Sequence, residues 1–311
     1  MNSTFPRLKP LALILAATFP IFAHAAPNVS ASGYYQYNGY EYDPAQAVNS
    51  GDSFNQAATT NAFSQTKSGG ISPSTWISSE ISAASDGLGH FGSSIQNSFS
   101  FPEGLTQKAG TLVSLTDTIT NNTGSTQNVN FNFNIDKLYI STLKGMEMGG
   151  TMTNTASFVA SIDVNGSTAW STGFHTEQID NETVQWNTMG ADIGLGTLPV
   201  DSGCNAGYFY SCSFSIQNYT NTLNLGALAA NASLTVTYTV KLDTETNTYG
   251  GASSIVFSDP AGIAMGNELP GSPAMASLQF AAPVPEPEQA SMLLAGLALI
   301  GAAAKRRRKS R

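Results

Sequence analysis

Apolar side chains recur along much of this chain at every second position, not every third or fourth. Phe91, Ile95, Phe99 and Phe101 share one parity. Val113, Leu115 and Ile119 do the same, with Asp117 as the exception. Val129, Phe131, Phe133 and Ile135 alternate with Asn130, Asn132, Asn134 and Asp136. Leu234, Val236, Tyr238, Val240 and Leu242 alternate with Ser233, Thr235, Thr237, Thr239 and Lys241. A period of two gives a strand with one dry and one wet face, as in an antiparallel sheet covered on one side. Turn chemistry separates the runs. Asn121-Asn122-Thr123-Gly124-Ser125 joins two of them, and Asp180-Asn181 lies between Ile179 and a Val184–Trp186 strand. Phe158, Ala160, Ile162 and Val164 run into Asn165-Gly166, the strongest two-residue hairpin signal, and the chain returns through Ala169 and Trp170. After a Gly/Pro-rich stretch from Asp259, one late strand is predicted over Ala276–Phe280.

Short strands at this spacing predict an all-β fold, an antiparallel β-sandwich of jelly-roll or Ig-like kind. Trp76, Phe131, Phe133, Phe158, Trp170, Trp186 and Tyr238 are the aromatic candidates for its core. The stretch Leu112–Ile135, and Leu225-Gly226-Ala227-Leu228 followed by Leu234–Val240, are similar to accessory β-sandwich modules of bacterial surface proteins. That likeness speaks to fold class only.

The two ends read differently. Residues 1–25 carry Arg7 and Lys9, the apolar run Leu11–Ala17, and Ala23-His24-Ala25. This is the order of a signal peptide: charged start, apolar middle, small-x-small cleavage site. At the other end, Ala290–Ala304 is an uncharged run of 15 residues followed by Lys305, Arg306, Arg307, Arg308 and Lys309. A spanning helix takes about 20 residues, and the stem of Lys305 extends the run slightly. The competing reading, a buried core helix, needs a polar face, and the run has none beyond Ser291. The basic cluster holds that end on the cytoplasmic side. Ahead of the run stands Val284-Pro285-Glu286-Pro287, which its prolines keep out of any helix.

Val284-Pro285-Glu286-Pro287, a short apolar helix and an Arg-rich end, in that order, resemble the PEP-CTERM sorting signal of Gram-negative bacteria. The resemblance implies recognition by an exosortase, a membrane-embedded cysteine transpeptidase, and cleavage near Pro285-Glu286-Pro287. It also implies a host that makes exopolysaccharide or a biofilm matrix, and leaves the activity of the cargo open. The expected organisation is a signal peptide (1–25), one exported β domain (26–283) and a sorting signal (284–311) with a single transmembrane helix. Expected partners are the Sec translocon and the exosortase during export, the inner membrane transiently through the C-terminal helix, and exopolysaccharide.

Charge sharpens this picture. The whole chain carries −8. Between Ala26 and Pro285, five lysines stand against nineteen carboxylates, a net of −14. Such a surface argues against nucleic acid or an anionic membrane face as partner. It suits a solvated extracellular protein.

Candidate chemistry within the β domain is sparse. Cys204 and Cys212 are the only cysteines, and in an exported chain such a pair reads as a disulfide. His90 and His175 are the histidines beyond the signal peptide, and neither sits in a catalytic motif. Spacing puts His175 and Glu177 on one strand face. It does the same for Asp180 with Glu182 and for Asp243 with Glu245, as a glycosidase pair requires and as any solvated strand also shows. Asp243, Glu245 and Asn247 also offer oxygens of the kind Ca²⁺ takes, without a loop pattern to support it. No catalytic residue, metal or cofactor is assigned. The most distinctive cluster is Tyr34, Tyr35, Tyr37, Tyr40 and Tyr42. Exposed rings there, with Tyr35, Tyr37 and Tyr40 as the candidates, would stack on sugars, whereas a packed strand face would bury them. The reading is an exported surface or matrix protein with a structural or adhesive role. A carbohydrate-binding module is the runner-up and a glycan hydrolase a distant third.

Overall fold

The computed structural model describes residues 23–24, 26–40, 47–70, 77–85, 89–99, 105–144, 153–179, 183–194, 204–206, 210–247, 251–259 and 277–280. Residues 1–22, Tyr42, Trp76, Asp180, Glu182 and the tail from Val284 lie outside them, as do the side chains of Tyr40 and Trp186. Sixteen strands are described. They are β1 (Ala23–His24), β2 (Asn28–Tyr40), β3 (Ala47–Thr59), β4 (Phe63–Gly70), β5 (Ile77–Ser85), β6 (Phe91–Phe99), β7 (Thr106–Thr120) and β8 (Gln127–Lys144). There follow β9 (Thr153–Val164), β10 (Ser167–Ile179), β11 (Thr183–Gly190), β12 (Cys204–Ala206), β13 (Tyr210–Leu228), β14 (Ser233–Asn247), β15 (Gly251–Asp259) and β16 (Ser277–Phe280).

They form two antiparallel sheets. The first runs β11-β10-β9-β14-β7-β2-β3, with β1 beside β7. The second runs β12-β13-β8-β15-β6-β5-β4, with β16 beside β8. The late strand expected near residue 278 is β16, and it pairs with Val129–Asn132 of β8.

The alternation read from sequence sets which faces meet. On β14, Leu234, Val236, Tyr238, Val240 and Leu242 are buried. Their neighbours point outward and pair by hydroxyls with β7: Thr235 with Thr118 at 2.9 Å, Thr237 with Thr116 at 3.4 Å, Thr239 with Ser114 at 3.1 Å. Aromatic rings join the sheets across the interior. Phe133 meets Trp170 at 4.8 Å between centroids, Phe174 meets Phe214 at 5.0 Å, Phe91 meets Tyr238 at 5.2 Å and Phe158 meets Phe257 at 5.8 Å.

The β9–β10 hairpin turns through Asn165 and Gly166, whose φ values of 49° and 83° are both positive. That is the turn the Asn-Gly pair favours, since its twist matches the strands. Two other turns carry the chain from one sheet to the other: residues 121–126 between β7 and β8, and residues 229–232 between β13 and β14. Buried Asn121 ties them together. Its Nδ2 donates to Ser125 O at 2.9 Å, Leu228 O at 2.8 Å and Ala229 O at 3.1 Å. Its Oδ1 accepts from the Thr123 amide and hydroxyl.

At one end of the interior the apolar rows give way to polar ones. In the first sheet Gln178, Asn154, Thr246, Gln107 and Tyr37 are successive register partners across five strands. In the second, Cys212, Thr142, Ser253, Asn97 and Ser79 are. All are buried. Hydrogen bonds link the two sheets here: Gln107 Nε2 donates to Ser79 Oγ at 2.6 Å, Asn97 Nδ2 to Thr244 Oγ1 at 2.6 Å, and Asn154 Nδ2 to the Leu143 carbonyl at 3.1 Å. Within the second row, Ser79 Oγ donates to Asn97 Oδ1 at 2.7 Å. The next row of the second sheet is four isoleucines in register, Ile140, Ile255, Ile95 and Ile81, all buried.

Candidate functional site

On β2 the inward set is Val29, Ala31, Gly33, Tyr35 and Tyr37, so Tyr34, Gln36 and Asn38 face outward. Tyr35 and Tyr37 are 6% and 1% exposed and therefore offer no shelf to a ligand. Their rings lie 5.7 Å apart, and the Tyr37 hydroxyl donates to the Gly69 carbonyl at 2.8 Å. Burial pushes both phenols above their ordinary pKa. Tyr35 also closes over Gly69 of β4, where an added Cβ would fall 2.9 Å from its Cζ. The two rings thus seal one flank of the interior.

The ring at the surface is that of Tyr34, 39% exposed. It lies across its register partner Gly110, where an added Cβ would sit 2.5 Å from Tyr34 Cε1 and 2.9 Å from Asp243 Oδ1. An aromatic ring covering a cross-strand glycine protects the bare backbone there. Lys241 Nζ lies 2.7 Å from Asp243 Oδ2, and Lys108 Nζ 2.9 Å from Glu245 Oε1. Partial burial, then the Asp243 carboxylate, push the Tyr34 phenol up, and the hydrogen bond with Asp243 raises Lys241. One register row away, Leu112, Lys241, Val159, Gly173 and Met189 follow each other across the outer face. Leu112, Val159 and Met189 are, with Tyr34, the large exposed apolar side chains among the described residues. The outer face therefore combines a ring, an apolar row and a paired carboxylate.

The other candidates are occupied by neighbours. His175 and Ser157 are register partners, and His175 Nδ1 lies 2.7 Å from Ser157 Oγ. Asp243 is the register partner of Ser157 on the opposite side. The serine thus stands between histidine and aspartate, whereas a relay needs the histidine in the middle. Of the oxygens considered for Ca²⁺, Asp243 and Glu245 hold lysines, and Asn247 Oδ1 accepts from Thr106 Oγ1 at 2.6 Å. Among the described residues no group of three His, Cys, Asp or Glu is placed to hold a metal. The glycosidase candidates Asp180 and Glu182 lie outside the described residues.

Cys204 and Cys212 are direct register partners in the β12–β13 ladder, and Cys212 is disulfide-bonded. The bridged position lies on the outermost strand of the second sheet.

Signals for these placements were present in the chain. Val29 and Ala31 share their parity with Tyr35 and Tyr37, which marks those rings as inward. Asn121 carries no such mark for its long-range role, because Leu228 and Ala229, whose carbonyls it holds, lie 107 and 108 residues away.

Comparison with known families finds one match. Residues 283–309 fit the PEP-CTERM protein-sorting motif. No curated protein and no solved structure matches the chain. The matched residues begin one position before the signal expected at Val284 and lie outside the described residues.

Proposed function

We propose, from the PEP-CTERM protein-sorting motif at residues 283–309, that this chain is the precursor of a surface or matrix component whose β domain acts by binding and scaffolding, not by catalysis. The signal peptide at 1–25 delivers it to the Sec translocon. Lys305–Lys309 then stop the apolar run in the inner membrane, because moving a cluster of charges through hydrocarbon is prohibitive. Pro285-Glu286-Pro287 is left at the outer interface, extended and poor in donors, where an exosortase takes it up.

The observation that carries the non-catalytic reading is the outer face of the first sheet. Its hydroxyls are spent on one another in cross-strand pairs from Ser114–Thr239 to Thr120–Ser233. Asp243 and Glu245 on it are held by lysines, and Asp163 by the Thr168 hydroxyl. Such a face supports adhesion to a neutral, hydroxyl-rich polymer through many weak contacts. Direct attraction to an acidic polysaccharide is disfavoured by the acidic charge.

The runner-up, a defined glycan site, moves from Tyr35 and Tyr37, whose rings are buried, to Tyr34, whose ring is exposed beside Asp243; Tyr40, whose side chain lies outside the described residues, stays a candidate. Retention of the protein on exopolysaccharide from its own host tests both readings. Scaffolding predicts retention that Tyr34→Ala barely changes. A defined site predicts loss on Tyr34→Ala with folding intact. No retention by either protein refutes adhesion altogether.

A further inference from the structure

Both segments that the sequence assigns to the membrane leave the β domain at one end. β1 pairs Ala23 with Thr120 and His24 with Ile119, so the N-terminal segment ends beside the 121–126 turn. β16 runs from Ser277, opposite Asn132, to Phe280, opposite Val129, and so heads towards the same turn. The polar rows, with Gln107 and Thr142, lie at the other end of β7 and β8.

This exit has a chemistry of its own. No residue from Thr118 to Ile135, from Ser202 to Val240 or from Ser277 to Phe280 is charged. Those stretches hold the turns 121–126 and 229–232 and the strands that lead into them. Asn122, Ser125, Thr126, Ala229 and Asn231 are exposed there. Asn121 holds the two turns as one plate, through the carbonyls of Leu228 and Ala229. The pairs Lys108–Glu245 and Lys241–Asp243 lie further along the first sheet.

Tether length limits how the domain can stand. Ala290, the first residue of the apolar run, comes ten residues after Phe280. Ten residues reach at most about 36 Å, whereas the 18 residues of β8 extend about 60 Å. The tether is therefore too short to carry the far end of β8 down to the bilayer. Lying on a flank would bring the carboxylates of an acidic domain against anionic headgroups, which repel them.

We infer that, while the chain is held in the inner membrane, this uncharged end is its membrane-facing surface and rests against the phospholipid headgroups. The inference rests on the sorting reading proposed above. Charge complementarity here is the lack of charge: the end that the tether brings down is the end that meets no repulsion. The outer face of the first sheet then stands upright from the membrane, clear of it along most of its length.

The test uses the uncut Glu286→Ala chain, purified from membranes and placed in vesicles of phosphatidylethanolamine and phosphatidylglycerol that carry a nitroxide on the headgroup. A fluorophore is attached at Asn122→Cys, or at Ser50→Cys, whose exposed position opposite Tyr37 marks the far end. The Asn122 label should be quenched about fivefold more strongly, since most of the ~60 Å of β8 separates the two levels. Thr126→Glu with Ala229→Glu, both at exposed positions, should cut that quenching by about half through repulsion from the headgroups, with circular dichroism unchanged. Equal quenching at the two positions, or stronger quenching at Ser50, overturns the inference. So does quenching at neither, which leaves a protein and not lipid to cover that end, or a two-glutamate variant quenched like its parent. A Glu286→Ala chain absent from the membrane fraction refutes the sorting reading itself.

Discussion

Replacing Asn97 by leucine is the sharpest test of the polar rows inside the molecule. Asn97 accepts from Ser79 Oγ at 2.7 Å and donates to Thr244 Oγ1 at 2.6 Å, with all three residues buried. Leucine is of similar size, so the change removes two hydrogen bonds without opening a large cavity. Each bond is worth about 1 kcal/mol net, and each hydroxyl left stranded costs about 1–3 kcal/mol. Ser79 Oγ still accepts from Gln107 but loses the acceptor for its own proton, and Thr244 loses its donor. Set against the apolar gain of a buried leucine, the net cost is about 3 kcal/mol. For a domain of this size that lowers Tm by about 6–12 °C. Scanning calorimetry of Asn97→Leu measures it. The double change Asn97→Leu, Thr244→Val also removes the stranded Thr244 hydroxyl and keeps Ser79 as acceptor for Gln107 Nε2, so it should recover part of the loss. A single variant within about 2 °C of wild type, or a double variant no better than the single, refutes the reasoning.

Two further outcomes follow from the sequence and the faces. Phe133→Asp puts an unpaired charge beside Trp170 and should unfold the domain, whereas Asn132→Asp on the outward side of the same strand should be nearly silent by urea titration. Equal effects would mean that the face assignment is inverted. Glu286→Ala should leave an uncut, membrane-retained form whose β domain folds normally. The readout is the C-terminal peptide of the mature protein by mass spectrometry, and peptides containing Lys305 in the extracellular pool would count against cleavage.

The strands were legible where each face had one chemistry. β8 from Val129 to Ile135 and β14 from Leu234 to Leu242 alternate cleanly, and both lie as read. Asn165-Gly166 was legible because two successive positive φ values admit few residues. The alternation on β8 changes parity beyond Ile135, where Leu138 and Ile140 become the buried set, and the adjacent charged pair Asp136-Lys137 marks the change. The polar rows carry no such mark. Asn97, Gln107, Thr244 and Thr246 sit on inward parity, but their outward neighbours are polar too, so hydropathy has no contrast to report. Asp117 shows the same effect. It looked like a break in an apolar set, and it is buried on the same parity as Val113, Leu115 and Ile119. Tyr34 and Tyr35 are chemically identical neighbours with opposite fates, and only strand parity separates them.

The polar rows also bear on how two broad sheets find one alignment. An interior of hydrocarbon alone is tolerant: sliding one sheet over the other by a row trades isoleucine contacts for isoleucine contacts at little cost. Here the same slide would bring the hydroxyls and amides of Thr246, Gln107 and Asn154 towards Ile140, Ile255, Ile95 and Ile81, and each group left dry would cost about 1–3 kcal/mol. A handful of such mismatches exceeds the whole stability of an ordinary domain, about 5–15 kcal/mol. The layer thus acts as an indexing mark, contributing little to the depth of the native well and much to the gap above it. The two sheets are assembled from strands far apart in sequence, and such a mark lets misaligned pairings dissolve instead of persisting.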